Sequence, residues 1–290
     1  MMRAYTVVDA FSATPFKGNP VAVVLEADGL SDGEMQAIAN WTNLSETTFV
    51  LPATQAGADY RLRIFTPRSE LPFAGHPTLG SAHAVLEAGL IQPRDGMLVQ
   101  QCAKGLVTIA IEGTGAERML HLGLPEAAIT TLAPDDVDEL EAVLGAPVDR
   151  SLPPAIVDVG AIWVVAQAAS AEALLALEPD FARSAAFEAR LGATGLSLFG
   201  AHADGHSADI EVRSFAASCG VNEDPVCGSG NGSIAAYRQL HGALPAGGRY
   251  SATQGIRTGR DGRVAVRISA QGSISIGGAC VTCASGTLFA

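Results

Sequence analysis

Positive charge is scarce in this sequence. The 290 residues carry 18 Lys and Arg against 30 Asp and Glu, which gives a formal net charge of −12 and an isoelectric point of about 4.8. A protein that binds nucleic acid needs a basic patch or stripe to follow the phosphates, and no such cluster occurs here. We therefore expect no nucleic-acid partner.

Long apolar runs are also missing. No stretch reaches about 18 consecutive apolar residues, the length that crosses a bilayer. The N-terminus leads directly into a strand-like pattern rather than into a cleavable apolar segment. These absences predict a cytoplasmic protein without a membrane partner.

The usual sequence signatures of cofactor and metal sites are absent. Neither the G-x-G-x-x-G pattern of dinucleotide sites nor a P-loop Gly-Lys-Ser/Thr occurs. The five cysteines are odd in number, and the C-x-x-C pair Cys280 and Cys283 has no second pair to complete a zinc site. His202 and His206 lack a third ligand. We expect no cofactor, no metal and reduced thiols.

The residues that are present favour two domains that mix strands and helices. Apolar residues make up 48% of the chain, enough for two cores of ordinary size. Runs rich in β-branched and aromatic residues predict many strands. Three segments have helical spacing and helix-start signals, and they predict helices over residues 32–41, 77–90 and 232–244.

An internal repeat is the most informative pattern. Arg63 to Phe65 (RIF) is followed by Glu70 to His76 (ELPFAGH) and a helix, and Arg213 to Phe215 (RSF) is followed by Glu223 to Ser229 (EDPVCGS) and a helix. The offset of about 150 residues indicates two copies of one sheet-and-helix unit rather than a solenoid of short repeats. We expect the two glycine-containing loops to face one another across a cleft.

A glycine-rich loop at a helix start suits a carboxylate, because unpaired N–H groups and the helix dipole both favour an anion there. Read separately, these glycines are turn residues, His76 shapes a helix start, and Asp224 and Ser229 cap local structure. Their repetition favours a site for a small carboxylate substrate. The residues in these loops are Gly75, His76, Pro77, Asp224, Cys227, Gly228, Ser229 and Gly230.

Glu46 is the candidate acid/base. It lies between a helix and an apolar strand, in the segment Asn43 to Phe49 (NLSETTF). Glutamate is disfavoured in strands, and burial beside Phe49 and Val50 would raise its pKa toward the value that a general acid/base needs near neutral pH. The alternative is an ordinary exposed residue at the end of a strand.

Several motifs together resemble the phenazine-biosynthesis PhzF-like proteins along the whole chain. They are the segments Asp9 to Val24 (DAFSATPFKGNPVAVV), Asn43 to Phe49, Phe73 to Thr78 (FAGHPT) and Glu223 to Ser229. The resemblance implies an α+β fold of two pseudo-symmetric diaminopimelate-epimerase-like domains, each a curved, mostly antiparallel sheet around a central helix. With the repeat offset, it predicts one domain over residues 1–118 plus 275–290 and another over 119–274. It also implies a homodimer.

By the same resemblance, Glu46 looks like the family's acid/base, and His76, Asp224 and Ser229 look like its substrate-binding and proton-relaying partners. The activity implied is a cofactor-independent isomerisation similar to that of trans-2,3-dihydro-3-hydroxyanthranilate, and the substrate class is a small amino or hydroxy carboxylate.

Cys227 departs from the family pattern, because Thr is usual at that position. A thiol at a helix N-terminus is expected to have a lowered pKa and to be a competent base. An inert Cys that packs where Thr usually lies is the alternative. Two other functions therefore remain open: an amino-acid epimerase or racemase that uses Glu46 and Cys227, and a non-catalytic small-molecule-binding protein.

Overall fold

The computed structural model describes residues 1–290 and divides the chain into two compact units. The first unit comprises residues 1–123 and 277–290, and the second comprises residues 124–276. Each unit contains one sheet layer and one helix with buried residues along most of its length. None of the six helices is long and apolar enough to cross a membrane.

The first unit is built mostly from antiparallel strands. Its elements are β1 (Met2–Ala10), β2 (Asn19–Val24), α1 (Asp32–Thr42), β3 (Glu46–Leu51), β4 (Tyr60–Phe65), β5 (Glu70–Leu71), α2 (Gly75–Glu87), β6 (Met97–Cys102), β7 (Gly105–Glu112) and β8 (Met119–Gly123). Strands β2 and β3 pair in parallel, as do β4 and β6, whereas the pairs β1–β2, β3–β4, β4–β5, β6–β7 and β7–β8 are antiparallel.

The second unit repeats this pairing scheme. Its elements are β9 (Ala128–Thr131), α3 (Pro134–Leu144), β10 (Ala155–Asp158), β11 (Ile162–Gln167), α4 (Ala171–Leu175), α5 (Phe181–Leu191), β12 (Gly195–Ala201), β13 (Ile210–Ala216), β14 (Val221–Asp224), α6 (Gly228–Leu240), β15 (Arg249–Gln254) and β16 (Gly262–Ile268). Strands β11 and β12 pair in parallel, as do β13 and β15, among antiparallel neighbours. The last strand, β17 (Ile274–Phe289), begins in the second unit and pairs with β1 in the first.

Helices α2 and α6 are the central helices of their units. Residues 76–85 of α2 are all buried, and in α6 residue 228 and residues 230–237 are buried. A helix that is buried on all sides needs small residues where strands approach it. A Cβ on Gly80 would lie 2.3 Å from Val21 Cγ1, and one on Gly230 would lie 2.7 Å from the hydroxyls of Ser197 and Ser214. The predicted α+β class, with a central helix against a mostly antiparallel sheet, is confirmed.

The bounds of two predicted helices were wrong at both ends. Helix α2 begins at Gly75 rather than at Pro77, and α6 begins at Gly228 rather than at Gly232. The glycine-rich segments therefore form the first helical turns instead of preceding loops. The N-cap residues Ala74 and Cys227 have extended backbones shortly after β5 and β14 end, and each helix begins at the glycine that follows its cap.

Candidate active site

Glu46 is the first residue of β3, where the chain returns from helix α1. Asn43 ends that helix in the left-handed conformation (φ 54°), and Glu46 then pairs in parallel with Val21 of β2. The side chain is 15% exposed, and its Oε2 atom accepts no hydrogen bond. Burial raises the pKa of Glu46 to about 7, and a hydrogen bond from the Ser45 side chain opposes that rise only in part. The raised pKa expected from the apolar neighbours is confirmed.

His76 lies in the first turn of α2 and is buried beside Glu46. Its Nε2 atom is 3.2 Å from Glu46 Oε2. The distance is that of a close polar contact, but the two groups are not aligned as a hydrogen bond, since Oε2 accepts none. Catalytic hydrogen bonds are often poorly aligned before substrate binds. The first unit thus brings two of the predicted residues into contact.

The start of α2 is open next to this pair. The N-cap residue Ala74 makes no side-chain hydrogen bond to the helix, and a Cβ built on Gly75 would meet nothing within 4 Å. Pro77, by contrast, is buried within the helix. Ala74 cannot cap the helix with its side chain, and the open space at Gly75 lets an anion approach the start of the helix.

Sequence reasoning missed Asn19, which also contacts His76. Its Nδ2 atom lies 3.4 Å from His76 Nδ1, and the residue is 1% exposed. Asn19 lies inside the motif that extends from Asp9 to Val24, but nothing in the local sequence separates it from an ordinary residue at a strand start. Only the packing of β2 against α2 reveals the contact.

Asp224 ends β14 and fixes the backbone that leads into α6. Its Oδ1 atom accepts a hydrogen bond from the backbone N–H of Val226 (3.1 Å), and its carbonyl oxygen accepts one from Gln254 Nε2 (3.0 Å). The carboxylate therefore stabilises the turn before the helix, which is the capping role that Asp224 has when it is considered separately from the repeat. This role does not conflict with substrate binding, because a carboxylate can accept several hydrogen bonds.

Cys227 is the N-cap residue of α6 and is 5% exposed. Its Sγ atom accepts a hydrogen bond from the backbone N–H of Gly230 (3.2 Å). Burial, with a smaller contribution from the charge of Asp224, raises the pKa of this thiol well above its usual value, against the opposing hydrogen bonds of Gly230 and Ser229. The lowered pKa expected at a helix N-terminus is therefore wrong, because desolvation outweighs the N–H groups.

Ser229 is held by Trp163, a second residue that sequence reasoning missed. The indole Nε1–H of Trp163, in β11, donates to Ser229 Oγ at 3.0 Å. Cys227 Sγ lies 3.7 Å from the same hydroxyl. Within the second unit, the structure thus groups Cys227, Gly228, Ser229 and Gly230 at the start of α6, with Asp224 just before it.

The histidine pair set aside on sequence grounds forms a different cluster. The rings of His202 and His206 stack with centroids 3.6 Å apart, and His202 Nε2 lies 2.7 Å from Thr253 Oγ1 and 3.4 Å from Glu211 Oε2. No group of three or more His, Cys, Asp or Glu side chains in the chain is arranged to hold a metal ion.

Comparison with known proteins gives a consistent result. The family profile described as phenazine biosynthesis-like protein (PhzC-PhzF) matches residues 8–286. Antisense-enhancing sequence 1 of Schizosaccharomyces pombe is 40% identical over 99% of both chains. Trans-2,3-dihydro-3-hydroxyanthranilate isomerase of Pseudomonas aeruginosa is 35% identical over 93% of this chain and 92% of that protein. The crystal structure of a PhzF-family phenazine biosynthesis protein from Bacillus anthracis superposes with a TM-score of 0.89 at 25% identity, covering all of both chains.

Proposed function

This chain belongs to the phenazine biosynthesis-like (PhzC-PhzF) family and is an isomerase, and we propose that it moves a proton between carbon atoms of a small carboxylate substrate with Glu46 as the acid/base. We further propose that the reaction needs no cofactor. The observation that carries the proposal is the placement of Glu46: its side chain is 15% exposed and lies 3.2 Å from His76 Nε2, and this burial raises its pKa to about 7, where both forms are populated at neutral pH.

A single residue of this kind can perform both halves of the isomerisation. The ionised carboxylate removes a proton from a carbon atom, and the electron pair left behind delocalises into the adjacent unsaturated system. The protonated Glu46 then returns a proton to a different carbon of the same system. One proton leaves and one is added, so the substrate is neither oxidised nor reduced and Glu46 ends in its starting state.

His76 supports this cycle from the carboxylate side. Its Nε2 atom is 3.2 Å from Glu46 Oε2, close enough to form a hydrogen bond after a small rotation of either side chain. A hydrogen bond to the ionised form would favour that form and lower the energy of the base before it reacts. The pair can therefore respond to the charge that appears on Glu46 in each half of the reaction.

The proposed substrate class, a small carboxylate, follows from the groups that could bind a negative charge. A carbon-bound hydrogen is acidic enough for a carboxylate base only when the developing negative charge is stabilised. The open start of α2 at Gly75 offers backbone N–H groups for a carboxylate. Asp224 and Ser229 remain predicted as substrate-binding and proton-relaying partners, with Gly228 and Gly230 beside them. The isomerase from Pseudomonas aeruginosa indicates trans-2,3-dihydro-3-hydroxyanthranilate as the first compound to try.

The test is the variant Glu46→Gln, incubated with trans-2,3-dihydro-3-hydroxyanthranilate in heavy water. Gln keeps the size of the side chain and removes the basic oxygen, so turnover and deuterium incorporation should both fall by about 10² to 10⁴ while ligand affinity changes little. Exchange of carbon-bound hydrogen, followed by NMR, also detects proton removal from a compound that is not turned over completely.

The matched control is Cys227→Thr, which introduces the residue usual in the family and should change the rate by less than about tenfold. A Glu46→Gln variant that exchanges at the parent rate would overturn the proposal. The epimerase alternative is tested with a panel of α-amino acids as substrates. If only Cys227→Thr abolished exchange with them, the thiol would be the base and the epimerase function would replace the isomerase proposal. The raised pKa of Cys227 argues against that outcome, since little thiolate exists at neutral pH.

A further inference from the structure

Asn19 is held in one position against the ring of His76. It begins β2 directly after a tight connection, in which Asp9 Oδ2 accepts a hydrogen bond from the backbone N–H of Gly18 at 3.0 Å. Gly18 has no room for a side chain, because a Cβ there would lie 2.4 Å from Ala10 O. These contacts hold the start of β2 in place, and the Asn19 amide, 1% exposed, lies against the imidazole.

The chemistry of the two groups decides where the ring proton lies. With its amide nitrogen toward the ring, as the structure has it, Asn19 donates, and His76 Nδ1, 3.4 Å away, is then the acceptor. A neutral imidazole carries one N–H, which then has to be on Nε2. Nε2 is the atom that lies 3.2 Å from Glu46 Oε2.

We propose that Asn19 is a positioning residue that selects the Nε2–H tautomer of His76 and so keeps the ring proton on the nitrogen that lies 3.2 Å from Oε2 of Glu46. The ring N–H can then donate to the ionised carboxylate once a small rotation aligns the two groups.

The tautomer assignment depends only on the geometry of the first unit, whereas its importance for catalysis rests on the proposed function of Glu46. The two can fail separately. If the tautomer is as described but Glu46→Gln retains full activity, the proposed function is wrong and the assignment of the ring proton stands.

The tautomer can be read directly by NMR. Protein labelled with ¹⁵N at histidine gives long-range correlations between each ring nitrogen and the carbon-bound ring hydrogens, and the His76 signals are those that vanish in His76→Gln. At neutral pH we expect a protonated Nε2 and an unprotonated Nδ1 for His76. A protonated Nδ1 in the parent protein would overturn the proposal without any variant.

The variant Asn19→Asp tests whether Asn19 determines the tautomer of His76. The carboxylate has nearly the same volume but can only accept, so it should draw the ring proton to Nδ1 or produce the imidazolium, and kcat should fall by about 10- to 100-fold with KM nearly unchanged. The control Asn40→Asp adds the same charge on an exposed residue whose amide contacts only the Pro67 carbonyl. It should leave the His76 signals and kcat unchanged.

An Asn19→Asp protein that keeps the Nε2–H tautomer would overturn the role given to Asn19. Should that variant fail to fold, Asn19→Ala supplies the second reading, because removing the donor should turn the single tautomer into a mixture. A single Nε2–H tautomer that persists in Asn19→Ala would contradict the proposal equally.

Discussion

The two units share a scaffold down to individual side chains. In the first, Arg63 pairs with Glu70 and stacks 5.1 Å from the ring of Phe65; in the second, Arg213 pairs with Glu223 and stacks 4.9 Å from Phe215. The order of parallel and antiparallel strand pairs around these residues is also the same. The two units therefore repeat side-chain packing as well as amino-acid sequence.

The chemistry at equivalent positions is different. When the two units are aligned on Phe65 and Phe215 by strand register, Glu46 of the first unit is equivalent to Gly195 of the second. The residues that pair with them in the neighbouring parallel strand, Val21 and Trp163, are equivalent too. A side chain at Gly195 would collide with Phe215 O at 2.0 Å and with the Trp163 ring at 2.8 Å. The first unit thus places a titratable Glu beside His76, where the second places an indole beside Ser229. A duplicated scaffold can thus carry different side chains at equivalent positions.

The largest difference that we expect between the units concerns the two Arg–Glu pairs. Arg213 and Glu223 side chains are 3% and 12% exposed, against 19% and 40% for Arg63 and Glu70. Glu223→Gln leaves a buried guanidinium without its countercharge and should lower the free energy of unfolding by about 3–5 kcal/mol. Glu70→Gln should cost less than about 1 kcal/mol.

Urea unfolding of both variants checks this pair. Equal losses in the two variants would mean that burial does not distinguish the two units at this position. Arg213 also donates to the carbonyl oxygens of Leu174 (3.1 Å) and Leu177 (2.7 Å), so its position should survive the loss of Glu223 and only the charge balance should change.

The next largest effect concerns Glu46 and pH. Its pKa of about 7 lies above the usual value of 4.5, so the native carboxyl keeps a proton that the unfolded chain has already lost between these values. The free energy of unfolding should therefore fall as pH rises from about 4.5 to about 7, by up to about 3 kcal/mol, and level off above that. Glu46→Gln should abolish this fall and be the more stable protein at pH 8.

Glu34→Gln is the control with the opposite sign. The backbone N–H and the hydroxyl of Ser31 lower the pKa of Glu34, so this residue adds stability as pH rises above its native pKa. A pH dependence that is the same in the parent and in Glu46→Gln would show that Glu46 titrates normally.

The smallest effect concerns the hydrogen bond between Trp163 and Ser229, which occupies the position of the Glu46–His76 contact in the first unit. The hydrogen bond from Trp163 Nε1 to Ser229 Oγ should be worth about 1 kcal/mol. A double-mutant cycle of Trp163→Phe and Ser229→Ala, measured by urea unfolding, isolates this coupling from the packing of the ring. Strictly additive losses would mean that the bond does not stabilise the second unit.

Local sequence signals determined much of the secondary structure. The capping box of Ser31 and Glu34 starts α1 at Asp32, as predicted, because both of its hydrogen bonds form within one turn. Helices α3 and α5 were not predicted, although α3 has Pro134 in its first turn and Gly145 at its end, and α5 has Asp180 as its cap. These capping residues are also local sequence signals, and they are sufficient to predict both helices.

The sequence by itself determined the family, the repeated unit and the residues at the helix starts, since motif order and repeat offset are properties of the chain. Tertiary structure alone decided how those residues behave. The pKa values of Glu46 and Cys227 depend on which atoms replace water around them, and both shifts are caused mainly by burial. Asn19 reaches His76, and Trp163 reaches Ser229, only because a strand packs against a helix distant in sequence. Desolvation and contacts across such distances are set by packing, which no local pattern of residues specifies.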